Sequence, residues 1–227
     1  MRLYHGSMEV VRKPEFGKGK VTNDYGRGFY CTCHVELAQE WACGDGVDGY
    51  ANAYDFSLDE LNILNLHADG YSILHWLALL LANRQIAPST PLMKRGMEWL
   101  KEHFFVDVEC YDMIVGYRAD DSYYSFAKAF MRNEISVECL ARAMHLGDLG
   151  LQYVLKSPRA FQRLRFLEAI PAKHEQFFPR RRQRDEDAQR KFREEAETED
   201  LQGVFLRDLI REEVKLDDPR LQSVLFG

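Results

Sequence analysis

Residues 26–32 read Gly-Arg-Gly-Phe-Tyr-Cys-Thr. Gly26 and Gly28 suit a tight turn, because glycine adopts left-handed backbone conformations without penalty. Phe29-Tyr30-Cys31 then reads as a short strand. Thr32 is placed to cap a helix, its hydroxyl accepting an orphan backbone N–H. That helix turns Val35, Ala38 and Trp41 or Ala42 inward. A polar, Gly-rich stretch precedes the turn. Before it, Leu3–His5 is a strand candidate inside Tyr4-His5-Gly6-Ser7.

Further along, Ser57-Leu58-Asp59-Glu60 has a capping-box pattern sufficient for one short turn. Tyr71–Arg84 reads as a buried helix; its apolar run, Ile73–Ala82, is too short to span a membrane. Thr90-Pro91 pairs an N-cap with a proline in the first helical position and opens a helix to His103. Asp112–Tyr117 is a buried strand, Ser122–Arg132 an aromatic-rich helix, and Ser136 caps a helix to His145. Leu151–Leu155 is a strand, Ser157-Pro158 opens a short helix, and Leu164–Ile170 is the last strand. Strands at the start, middle and end with helices between them are not a regular βαβ repeat, which favours α+β over doubly wound α/β.

The chain has 227 residues, 46% hydrophobic and 29% charged, which excludes global disorder and fibrous classes. Its net charge of −6 argues against broad electrostatic DNA binding. Five cysteines, Cys31, Cys33, Cys43, Cys110 and Cys139, with no apolar leader, lead us to expect a reduced, cytoplasmic protein. Composition shifts near Pro171. Residues 171–227 hold 12 Lys+Arg and 14 Asp+Glu, the mixed charge of a solvated helical extension. Within it Arg180-Arg181-Arg182 and Arg184 are followed at once by Asp185-Glu186-Asp187, which favours a paired helix over a nucleic-acid patch. Val204, Phe205, Leu206, Leu209, Ile210 and Val214 form an apolar stripe that either packs or docks on a partner.

Most chemical signatures fail on spacing. Gly17-Lys18-Gly19-Lys20 matches no phosphate-cradling loop. Cys31-x-Cys33-His34 has no second ligand pair at zinc spacing. Asp120-Asp121 reads as a solvated turn, and no nucleophile elbow occurs. One ordered set survives: Tyr4-His5-Gly6-Ser7, then Gly26–Tyr30, then Trp41, then Gly150-Leu151-Gln152-Tyr153. Taken singly, His5 fits an ordinary strand histidine, and Tyr30 and Trp41 fit core aromatics.

Together the four segments resemble the ADP-ribosyltransferase superfamily, on its diphtheria-toxin and poly(ADP-ribose) polymerase side. That side carries a His, a Tyr and a Glu on three strands. His5 and Tyr30 stand in the first two places, Trp41 where a second aromatic is frequent, and Gln152 where Glu is usual. More narrowly, the chain resembles a group of bacterial proteins with such motifs and Gln in the Glu position. The resemblance implies a split mixed-sheet core over residues 1–170, with a mainly helical insert over 57–147 and a charged extension over 171–227.

It also implies NAD as substrate, with no metal and no membrane. His5 would hydrogen-bond the adenosine-side ribose, and Gly6 would offer its backbone to the carboxamide. Tyr30 and Trp41 would sandwich the pyridinium, a contact worth about 1–2 kcal/mol when desolvated. Ser7 and Gly28 belong to the same expected cofactor-binding set. Gln152 would position the nicotinamide ribose without supplying charge. One unit charge at ~4 Å is worth about 4 kcal/mol near a dielectric of 20, an upper guide to what Gln forgoes. That corresponds to roughly 10²–10³ in rate.

Three functions stay open. The first is single ADP-ribose transfer to a protein or nucleic-acid acceptor, toxin- or effector-like, in the host cytoplasm or a target cell, with Asp148 as a candidate borrowed carboxylate. The second is an NAD- or ADP-ribose-binding module. The third is a toxin component with a regulatory or antitoxin-like partner.

Overall fold

The computed structural model describes residues 1–84, 86–119, 121–196 and 202–224. In chain order its first half contains β1 (Arg2–Ser7), β2 (Phe29–Cys31), α1 (Val35–Ala42), β3 (Gly49–Phe56), β4 (Ile63–Asn65), α2 (Ile73–Asn83) and α3 (Pro91–His103). Then follow β5 (Met113–Tyr117), α4 (Asp121–Met131), α5 (Val137–Ala143), β6 (Leu151–Leu155), α6 (Pro158–Gln162), β7 (Leu164–Ala172), α7 (His174–Ala196) and α8 (Leu206–Arg211). One antiparallel sheet has the order β1-β3-β7; a mixed sheet has the order β2-β6-β5-β4, with β4 and β5 parallel. The fold is α+β, as the alternation of segments predicts. The sheets meet where Tyr4 and Thr32 exchange backbone hydrogen bonds of 2.8 and 2.9 Å. That junction sets β1 beside β2.

The helices form where their caps and apolar runs require. Ser72 caps α2: its hydroxyl accepts the Leu74 N–H, and its own N–H donates to His75 Nδ1 at 3.0 Å. Nine consecutive residues, Ile73–Leu81, are buried, and each aliphatic side chain so enclosed contributes about 1.5–3 kcal/mol. Thr90 caps α3 as expected, accepting the Met93 N–H at 3.1 Å. Ser136 and Ser157 cap α5 and α6 in the same way.

Other local expectations need correction. Thr32 does not cap α1; its hydroxyl accepts the His34 N–H at 3.2 Å, and His34, the N-cap residue, makes no side-chain cap bond. Ser57–Glu60 forms a turn with no helix, Ser57 Oγ donating to Asp59. Two strands escape the sequence reading: β3, at the centre of the antiparallel sheet, and the short β4. Of the Asp120-Asp121 turn, Asp120 lies outside the described residues.

α1 lies against β1 and β3 at very short range. A Cβ on Gly6 would meet the Ala38 carbonyl oxygen at 2.2 Å, and one on Gly49 the Ala42 carbonyl oxygen at 2.3 Å. Glycine at both points is what admits the helix. The extension packs back onto the first 170 residues. α7 contacts α1, α4 and α5, with Phe126 and Phe192 stacked at 4.1 Å. The apolar stripe of the tail is covered by the chain itself: Val204, Leu206, Leu209 and Val214 are buried, Leu206 against Gly96 of α3.

Candidate functional site

The sheet junction brings the sequence-selected residues together. His5 of β1 donates from Nδ1 to the Tyr30 carbonyl of β2 at 2.7 Å. A carbonyl only accepts, so the neutral ring leaves Nε2 as an acceptor. Burial holds the His5 pKa below its ordinary value, favouring that neutral ring. Tyr30 pairs with Val154 of β6. Gln152, two residues earlier, therefore projects from the same sheet face.

His5, Gly6, Tyr30, Trp41 and Gln152 all line one cleft of about 560 Å³. Its other walls are Lys18, Gly19, Lys20, Asn23, Asp24, Arg84, Arg118 and Ala119. An adjoining cavity of about 340 Å³ shares His5, Lys18, Gly19, Asn23 and Tyr30. It is apolar, with Val11, Pro14, Phe16, Phe29 and Phe161, and it includes Gly28. Ser7, expected in the set, lines neither; its hydroxyl accepts the Glu9 N–H. Asp148, the candidate carboxylate, lines a different cavity on the far side of α1.

The segment between β1 and β2 that roofs the cleft is tied down locally. Buried Asn52, opposite His5 in the β1–β3 ladder, accepts the Val11 N–H and donates to the Glu9 carbonyl. Tyr30 Oη donates to the Gly26 carbonyl at 2.6 Å and accepts the Tyr25 N–H at 3.1 Å. Gly26 has φ +72°, so a side chain there would be strained. Lys156 Nζ donates to the Tyr25 and Arg27 carbonyls, each at 2.8 Å. Asp24, 4% exposed, accepts Arg84 Nε and the Ala119 N–H, both at 2.8 Å. Burial raises the Tyr30 phenol pKa far above its usual value, so it stays protonated.

Three properties define what the cleft can hold. First, four cationic side chains, Lys18, Lys20, Arg84 and Arg118, line it beside one lining carboxylate, Asp24; Arg84 pairs with Asp24, and Lys18 with Glu15 at 2.8 Å. Second, Gln152 is 5% exposed and its Oε1 has no hydrogen-bond partner among the described residues. Leaving such an atom unpaired costs about 1–3 kcal/mol, which a ligand hydroxyl or amide N–H would recover. Third, Trp41 lines the cleft with the Arg118 guanidinium over its ring, 3.6 Å from the centroid, so a flat cationic ring would stack there in place of that guanidinium. An elongated anion with a flat ring and several hydroxyls satisfies all three.

The sequence reading omitted Lys18, Lys20, Asp24, Arg84 and Arg118 from the site. The signal for the first two was present in Gly17–Lys20, whose lysines line the cleft although the segment is no phosphate loop. Arg84 and Arg118 follow α2 and β5, and nothing local marks them as neighbours. Among the described residues, no group of three or more His, Cys, Asp or Glu is placed to hold a metal. No helix there is long and apolar enough to cross a membrane.

No curated protein and no solved structure matches the chain. A family model described as "Protein of unknown function (DUF3990)" matches residues 1–166, from β1 into β7 and so including every wall of the cleft, and the chain belongs to that family.

Proposed function

We propose that this protein is a NAD-dependent mono-ADP-ribosyltransferase, effector-like, acting on a protein or nucleic-acid acceptor. The observation that carries the reading is the convergence of His5, Gly6, Tyr30, Trp41 and Gln152, selected from the sequence by order and by resemblance to a family's motifs, on one cation-lined cleft. In this reading the pyrophosphate lies among Lys18, Lys20 and Arg118. The adenine enters the apolar cavity beside Phe29 and Phe161. His5 Nε2 accepts from a ribose hydroxyl, and Tyr30 and Trp41 bracket the pyridinium. Gln152 Oε1 accepts from the nicotinamide ribose.

The chemistry then needs one bond exchange. The C1′–N bond breaks, its electron pair leaving on neutral nicotinamide. An acceptor lone pair forms the new bond to C1′, and the acceptor proton passes to water. Positioning supplies the greater part of the acceleration. Asp24 is committed to Arg84 and Ala119, so no carboxylate lining the cleft is left to stabilise the cationic sugar. The reaction is therefore slow and ends after one transfer.

The test is NAD binding by calorimetry together with a nicotinamide-release assay. Tyr30→Ala abolishes NAD-dependent labelling. Gln152→Glu preserves release or raises it, by up to roughly 10²–10³. If both variants label like the parent, the site is elsewhere. The second reading, a module that holds NAD or ADP-ribose without cleaving it, is favoured by the uncharged Gln152. It predicts tight binding with no nicotinamide released by the parent.

A further inference from the structure

Trp41 and Gln152 stand on separate elements, α1 and β6, and the cleft needs them at a fixed spacing. One side chain of the C-terminal helix touches the roots of both. Arg184 of α7 donates from Nε to Glu40 Oε2 at 3.0 Å and from a terminal nitrogen to Glu40 Oε1 at 2.9 Å. Its other terminal nitrogen donates to the Gly147 carbonyl at 3.0 Å. Glu40 is 2% exposed and immediately precedes Trp41; Gly147 lies on the segment that leads into Gln152. A bidentate guanidinium–carboxylate pair fixes direction as well as distance. α7 is itself anchored independently, through Phe192 on Phe126 and Asp185 on Ser122. It lies wholly beyond residues 1–166.

We infer that Arg184 is a positioning residue for the cleft: the C-terminal extension sets the spacing of the Trp41 and Gln152 walls through its three hydrogen bonds to Glu40 and Gly147. The inference rests on the NAD reading for its functional consequence but on geometry alone for the placement. Walls displaced by about 1 Å lose ligand complementarity, and such shifts can remove up to ~10² in rate.

Removing Arg184 alone strands a buried carboxylate, so the informative variant removes both charges: Glu40→Met with Arg184→Leu. A buried pair replaced by apolar residues of similar volume is often neutral for folding. The full chain is compared by thermal unfolding, NAD calorimetry and amide hydrogen exchange, beside Phe192→Ala as a purely packing control. The double variant is expected to melt cooperatively and to bind NAD at least about fivefold more weakly, a normal size for coupling between sites. Its amides over 36–42 and 147–152 exchange faster. Phe192→Ala lowers the melting temperature and leaves NAD affinity within about twofold, because Asp185 on Ser122 and the Arg184 bonds still hold α7 against α4 and α1.

Parent-like affinity and exchange in the double variant would overturn the inference. So would an equal affinity loss in Phe192→Ala. If the double variant does not melt cooperatively, Arg184→Lys decides, since it keeps the charge but loses the fork. Intermediate affinity supports the role and parent affinity refutes it. If the parent itself binds no NAD, the functional reading falls, and exchange over the two segments alone decides the placement.

Discussion

Two cavities of similar size flank α1, about 560 and 510 Å³, and they are built on opposite electrostatic plans. The seam cavity under α7 carries Glu36, Glu40, Asp148 and Asp187 against Arg180, Arg184 and Lys191, close to neutral. Its central charges are spent on one another in the Arg184–Glu40 pair. The cleft on the other side is lined by four cations and one carboxylate, with Lys18 held by Glu15 and Arg84 by Asp24, and by a buried Gln152 oxygen that has no partner among the described residues. Charge compensated inside the molecule holds elements together. A concave wall rich in cations with an unsatisfied buried oxygen suits an anion that arrives from outside. The contrast is one reason we place the proposed ligand in the cleft and not in the seam.

The contrast can be broken most severely at the seam. Glu40→Ala leaves the partly buried Arg184 without its carboxylate, and such stranding costs about 3–5 kcal/mol. The urea midpoint should fall accordingly, with the same slope. In the cleft the opposite pattern is expected. Lys20→Glu alters an exposed side chain and should leave stability within about 0.5 kcal/mol. It should weaken NAD binding about tenfold, or ~1.4 kcal/mol, with a reduced salt dependence. A Lys20→Glu variant that unfolds, or a Glu40→Ala variant of parental stability, would erase the distinction.

How much of this was legible beforehand follows from residue chemistry. α3 was readable because Thr90 announces its start, and α2 because its apolar run is continuous; the Ser72 cap of α2 was not read from the sequence. β3 was not, because Gly49, Ala51 and Ala53 are small where a strand normally shows bulk. Those same small residues are required by α1: Ala51 pairs with Gly6, over which the helix backbone passes. The packing that hides the strand is the packing that positions Trp41. The aromatic and His positions of the cleft were legible as an ordered set. Its cations were not, since Arg84 reaches Asp24 across 60 residues and Arg118 meets Trp41 only after the sheets close. Asp148 was misjudged because standing three residues before Leu151, the start of β6, says nothing about which side of the strand the chain approaches from. The positive φ of 48° at Asp148 accompanies that turn into the seam.

Acidification gives a smaller effect. Burial lowers the His75 pKa to about 4 from 6.5, and also lowers that of His5. The unfolded chain then binds more protons below 6.5. The stability contributed by the neutral rings is whole above pH 6.5 and is lost as pH falls toward 4. NAD affinity should fall over the acid side of the same window, because a protonated His5 can no longer accept at Nε2. Smallest of all, Ser72→Ala removes one cap of α2 and should cost about 1 kcal/mol in the urea midpoint, with NAD affinity unchanged.

The central claim is that the cation-lined cleft takes a pyridine dinucleotide. Calorimetric titration of NAD into the full chain at low ionic strength tests it most directly. The account predicts saturable one-to-one binding that weakens with added salt and disappears in Tyr30→Ala, provided that variant still melts cooperatively. No binding heat and no tryptophan fluorescence change in the parent, or undiminished binding by a folded Tyr30→Ala, would contradict it.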